Sequence, residues 1–212
     1  MSRSKYGAIN VQPSRCTVWD GIKTIDRTVI FIYDDTVIFG GYVIGLPLGL
    51  VYANAMEWGI HKYILHGRKL GKKRGTFWSF HFHRHHRQSR QNAFHDPDYR
   101  EPLGQSWNGQ AKEAAALVAL SIAHLPLAPI APIFTATIVY SAIDYYRKHK
   151  RAHLDPEWAR EHLPWHVDHH MALNQDANWC ITRPWMDDWM GTREPYVGTE
   201  RERRDQERRA AS

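Results

Sequence analysis

Two long apolar runs organise this chain. Residues 36–56 (TVIFGGYVIGLPLGLVYANAM) carry no charged side chain, and residues 114–143 are uncharged but interrupted by Pro126, Pro129 and Pro132. At about 1.5 Å per helical residue, the first run is long enough to cross the roughly 30 Å hydrocarbon core of a bilayer. Two full passes need roughly 40 residues, so the second run predicts a short, shallow helical hairpin or one kinked span. Gly40, Gly41, Gly45, Pro47 and Gly49 make the first run irregular and offer small faces for close helix contact. No breaker follows it, so its helix is expected to carry on through Glu57 to His61 and His66. A basic turn at residues 67–75 (GRKLGKKRG) comes next, then a Pro-containing loop around His95 and a polar stretch over 101–113. Helical-looking polar sequence resumes after Asp144. Residues 1–27 read as a polar arm without a motif, and residues 197–212 as a charged, solvated or disordered tail.

A length of 212 residues predicts one domain over residues 1–212 with a single core. The expected fold class is all-α, a membrane-associated helical bundle. A mean hydropathy of −0.55 is low for a polytopic membrane protein, and burial of both runs inside a soluble bundle is the alternative. Basic flanks decide for the membrane, because the loop from Arg68 to Lys112 and the segment after Arg147 are both rich in Lys and Arg, as cytoplasmic flanks are. The net charge of +6 with 28 Lys+Arg therefore points to anionic lipid rather than nucleic acid, for which no reader motif exists. Residues 1–27 lack the apolar stretch of a signal peptide. Cys16 and Cys180, far apart and in no C-x-x-C pair, predict a reducing compartment and exclude a thiolate zinc site.

The chemistry lies in the histidines. His81, His83, His85 and His86 crowd into WSFHFHRHHR, and buried imidazoles this close cannot serve as packing, since each needs a partner and they repel one another when charged. His61 and His66 precede them; His149 and His153, then His166, His169 and His170, follow the second apolar run. On an α-helix His61 and His66 stand about 140° apart, whereas His149 and His153 share a face. Ligands His61, His66, His81, His85, His86, His149, His153, His166, His169 and His170 exceed the four that a structural zinc ion takes, so two adjacent metals are expected. Imidazole suits iron, zinc, copper and nickel alike. His83 alternates with His81 and is expected to support the site from outside it. His95 reads as a loop histidine, and His124 as a polar group satisfied inside the bundle or lining a substrate path.

The spacings resemble the fatty acid hydroxylase and sterol desaturase superfamily of membrane di-iron proteins. They are His-x4-His at 61 and 66, His-x3-His-His at 81, 85 and 86, His-x3-His at 149 and 153, and His-x2-His-His at 166, 169 and 170. NWCITRPWMDDWMGT, residues 178–192, is similar to the family's closing segment, with Cys180 where Gly is usual and Met186 where Trp is common. The resemblance implies a helical membrane protein with a histidine-rich cytosolic cap. Its expected cofactors are two iron ions, replaceable by zinc in isolated protein, and its expected reaction is dioxygen-dependent hydroxylation of a lipid-like substrate. A fatty-acyl or sphingolipid chain leads, with carotenoid or sterol hydroxylation or desaturation as the alternative within the superfamily. Electrons are expected from a separate donor such as cytochrome b5, a ferredoxin or a reductase. Glu57 and Asp168 are candidates for orienting the imidazoles; no residue is assigned a catalytic role beyond ligation. Two other classes remain open, a non-catalytic metal-binding membrane protein and a soluble metal-dependent hydrolase.

Overall fold

The computed structural model describes residues 27–210, with side chains from 44 to 208. The expected N-terminal arm up to residue 26, Cys16, and the side chains of the first part of the run at 36–56 lie outside the described residues. The chain divides into two compact units, Met1–Gly40 and Gly41–Ser212. Of the first, only the opening of helix α1 (Arg27–Ile60) is described; everything below concerns the second.

Among the described residues every regular element is helical and none is a strand. α1 runs into a π-helical turn, His61–Leu65, and a second π turn, His81–His85, leads into α2 (His86–Gln91). A 3-10 turn at Pro97–Arg100 precedes α3 (Gly109–His124), and α4 (Pro132–Leu154), α5 (Pro156–His162), α6 (Pro164–Met171), α7 (Trp185–Trp189) and α8 (Glu200–Ala210) complete the order. The starts are written in the sequence. Asn108 caps α3 by accepting from the Ala111 amide at 3.0 Å, and Asp155 caps α5 by accepting from the Trp158 amide at 3.1 Å. Pro132, Pro156 and Pro164 each open a helix, where a missing N–H costs nothing.

The second apolar run forms a hairpin, the first of its two expected forms. Pro126 and Pro129 fall in the connection between α3 and α4, and the arms are clamped by Lys150 on Gln110 (2.8 Å) and His149 on Glu113 (2.6 Å). α1 lies against α4 at its small residues. A Cβ at Gly49 would come within 2.7 Å of the Thr137 Cβ, and one at Gly45 within 3.0 Å of the Phe134 amide, so only glycine permits this approach. Among the described residues no helix is long and apolar enough to cross a membrane. Large apolar side chains are nonetheless exposed on α1 and along the hairpin. They are Ile44, Leu46 and Leu48 on α1, Val118 and Ile122 on α3, Leu125 and Ile130 in the connection, and Tyr140 and Ile143 on α4, with Ile130 80% exposed.

Residues 197–212, expected as a solvated or disordered tail, contain α8, a helix with most of its side chains exposed. Arg203 pairs with Glu200 and Glu207 along its surface, the spacing that supports a helix. Arg160 grips Glu202 through both carboxylate oxygens (2.5 and 3.0 Å), and the Tyr196 hydroxyl donates to Asp205 (3.3 Å), which docks the helix on the bundle. The charges of this segment are periodic and paired. The core beneath the histidines is formed by Phe94, Ala152, Ala159, Leu163 and Val167, with Trp58, Trp179 and Cys180 as a second cluster.

Candidate metal centre

Both histidine pairs spaced five apart ride on π turns. A π turn holds one residue more than an α turn, closing with an i to i+5 bond; here the His66 amide donates to the His61 carbonyl at 2.9 Å. Residues that an α-helix would hold about 140° apart thereby come onto one face, with the His61 and His66 rings 5.1 Å apart. The second π turn does the same for His81 and His86, whose Nε2 atoms are 3.2 Å apart. Adjacent histidines, about 100° apart around a helix, are divided between two groups. His61, His66, His81, His86 and His169 converge in one, and His85, His149, His153 and His170 in the other, with the ligand atoms of each within 4.8 Å of one another. His166 borders the second group, its Nε2 3.0 Å from that of His153. The two groups adjoin where the His86 and His170 rings stack at 4.2 Å.

The outer nitrogens of seven of these rings are held. The Nδ1–H of His61 donates to the Trp179 carbonyl (2.5 Å), that of His169 to the Ala177 carbonyl (2.6 Å) and that of His153 to the Phe94 carbonyl (2.8 Å). His85 donates to Asp96 (2.6 Å), His149 to Glu113 (2.6 Å), His86 to the Gln175 side-chain oxygen (2.9 Å) and His66 to Asp176 (3.3 Å). A proton fixed on Nδ1 leaves Nε2 as a bare lone pair turned inward, the arrangement of a ligating histidine. The Nε2 of His86 stands 3.0 Å from those of both His66 and His169. Two lone pairs cannot hydrogen-bond each other, but both can reach one ion at about 2.1 Å.

Buried nitrogens without a partner make the same point in the second group. The Nε2 atoms of His85, His149 and His170 are buried and unpaired, as is Nδ1 of His166, a costly condition in a protein interior that an ion relieves. Burial first, and then repulsion from neighbouring rings, holds His61, His66, His81, His86, His149, His153, His166 and His170 well below the ordinary imidazole value. Burial lowers His169 to about 3. The rings are therefore neutral at neutral pH, the form that binds metal. The residues fit two metal ions, and the donor set is almost wholly imidazole. A cavity of about 420 Å³ reaches His61 and His81 at one end and Tyr52 and His124 at the other, walled mostly by apolar side chains such as Ile60, Ile64, Phe80, Leu117 and Leu120.

Each expected ligand thus lies in or against the centre. His83 does not enter it; its Nε2 meets the Lys72 carbonyl at 3.0 Å. His95 stays in its loop, with Nδ1 3.3 Å from the His153 carbonyl, while His124 lines the cavity. Glu57 and Asp168 touch no ligand ring in this network. Glu57 accepts from the amides of Ile181 and Thr182 and from the Thr182 hydroxyl, tying the closing segment to α1. Asp168 accepts from Arg193 (2.7 Å) and from the Tyr196 and Val197 amides (3.1 and 2.7 Å). The orienting carboxylates are Asp96, Glu113 and Asp176, none of them marked by a histidine motif. Glu113 had one signal, a carboxylate at the lip of an uncharged run; burial pushes it up to about 7, against the Tyr99 hydroxyl at 2.6 Å. The closing segment contributes carbonyls. Asp187 receives the Trp179 and Cys180 amides (2.9 and 2.8 Å) and so aims the Trp179 carbonyl at His61. Comparison with protein families, with curated proteins and with solved structures finds no match to this chain.

Proposed function

We propose that this chain is a non-heme di-iron oxidoreductase that uses dioxygen to hydroxylate a lipid-like substrate, a fatty-acyl or sphingolipid chain first among them. One observation carries the reading: an apolar cavity opens directly onto His61 and His81 of a two-group imidazole cluster. Metal storage or sensing requires the cluster but gives no reason for the cavity. Its volume of about 420 Å³ falls within the range of small-molecule sites. The box spacings resembling the fatty acid hydroxylase and sterol desaturase superfamily support the same reading, and the aliphatic residues exposed on α1 and along the hairpin support attachment to a membrane, with the histidine cap on the cytoplasmic side.

His61, His66, His81, His86 and His169 would hold one metal, and His85, His149, His153 and His170, with His166 beside them, the other. Iron bound there supplies dioxygen activation for oxidation of an unactivated C–H bond. The chain's own part is positional. Carbonyls and carboxylates behind the rings fix their tautomers and angles; Ile60, Ile64, Phe80 and Leu117 hold an alkyl chain against the His61 end and exclude water from it. Hydroxylation by dioxygen also consumes electrons and protons and releases water, so a separate reductant partner is part of the proposal.

The test is mass spectrometry of lipids from cells expressing the wild type or a His85→Ala, His86→Ala variant, paired with oxygen uptake by iron-loaded protein and a reductant. A one-oxygen mass gain confined to wild type is expected. Stoichiometric metal without oxygen uptake or any oxidised lipid would mean a metal-binding protein without turnover.

A further inference from the structure

The far end of the cavity is polar where its walls are not. The Nδ1–H of His124 donates to the Leu120 carbonyl at 2.8 Å, so its Nε2 is an acceptor, and the Tyr52 hydroxyl donates to it at 3.0 Å. The Tyr52 ring is fixed between His124 and Phe134, with centroids at 5.5 and 5.3 Å. With its proton committed, the Tyr52 oxygen keeps its lone pairs free to accept. Ser141 supplies the complement. Ser141 lines the same cavity, and its hydroxyl is buried without a hydrogen-bond partner, not even the carbonyl one turn back that serine commonly takes within a helix. The clamps of Gln110 on Lys150 and Glu113 on His149 set Ser141 of α4 level with Leu120 of α3, one helical turn from His124. A buried unpaired hydroxyl in a cavity wall calls for a ligand atom.

We propose that Tyr52 and Ser141 form a subsite for an alcohol, and that the substrate is a long-chain lipid carrying a hydroxyl group. This rests on the reading of the cavity as the lipid site. A hydroxyl both donates, to Tyr52, and accepts, from Ser141; a carbonyl or ether can use only Ser141, and a hydrocarbon neither. The subsite also fixes where the substrate is oxidised. Tyr52 and His61 belong to one helical stretch, roughly 14 Å apart along its axis, so an anchored hydroxyl presents a carbon far down the chain to the imidazole cluster and leaves the carbons next to it out of reach.

The test is binding of 1-hexadecanol, hexadecyl methyl ether and hexadecane to zinc-loaded protein in detergent, read by native mass spectrometry. Zinc-loaded protein does not turn over, so failure of the oxygenase proposal leaves this measurement intact. Wild type is expected to bind the alcohol about tenfold more tightly than the ether, the worth of one hydrogen bond, and the hydrocarbon weakest. Tyr52→Phe is expected to shrink the alcohol's advantage over the ether, and Ser141→Ala to weaken alcohol and ether alike relative to hexadecane, each with unchanged metal content. Equal affinity for the three probes, no binding of any of them, or a preference that survives both substitutions overturns the subsite.

Discussion

A histidine is a better-oriented ligand when something holds its other nitrogen. Asp96 and Glu113 are buried behind His85 and His149, each with 2.6 Å between carboxylate oxygen and Nδ1. Asp96→Asn and Glu113→Gln should each lower metal affinity about 10- to 100-fold, measured by competition with a chelator. Asp168→Asn, which loses an arginine and two amides but no ring, should lower the melting temperature while leaving metal affinity near wild type. An equal loss of affinity in all three would mean that the carboxylates act only through the fold. His61, His81, His86 and His169 also predict a pH response. Their folded values lie below the ordinary value near 6.5, so below about pH 6.5 the unfolded chain takes up protons that the folded chain refuses. The stability of metal-free protein should therefore hold from pH 8 to 7 and decline as pH falls through 6 to 5. Thermal melts of metal-free protein across that range check the sign; a flat or rising profile contradicts it.

At the scale of elements, two devices convert sequence spacing into geometry. The π turns at His61–Leu65 and His81–His85 bring five-spaced histidines onto one face, and the glycines of α1 let α4 approach closely enough to wall the cavity. The second device can be tested without touching the metal. In Gly49→Ala the new Cβ stands 2.7 Å from the Thr137 Cβ, and overpacking of this kind costs about 1–3 kcal/mol. Thr137→Ala in the same chain should recover most of it, a coupling that a double-mutant cycle in denaturant reads directly. Additive losses would place the cost in helix propensity rather than at the contact. His61 and His66 were legible as a pair in the sequence, but the π turn was not, because its extra residue is stabilised by the ring contacts and ligand geometry of the folded state.

For the molecule as a whole, the centre ties together segments that are remote along the chain. His61 opens the π turn after α1, His85 belongs to the second π turn, His149 to α4 and His170 to α6, so metal bound there would supply folding free energy to all of them at once. Removal of metal from loaded protein by a chelator should lower the melting temperature by about 10 °C, with about two ions released per chain by elemental analysis. An unchanged melt after complete removal would mean that the bundle closes by itself around empty imidazoles. α8 belongs to this scale as well. Its i to i+3 and i to i+4 charges could be read locally, but Arg160 on α5 and Tyr196 give it a place to dock.

The sequence by itself determined the helical class, narrowed the second apolar run to a hairpin or a kinked span, and marked the glycines open to close contact and the candidate ligands, since hydrophobic period, proline position and clustered imidazoles are local properties. Only the tertiary structure decided which histidine joins which group, which carboxylates stand behind them, and that Tyr52, His124 and Ser141 meet in one cavity. Those facts depend on contacts between residues far apart in the chain, whose partners carry no local signature. Asp96 and Glu113 look like any loop or helix-end acid until His85 and His149 arrive beside them.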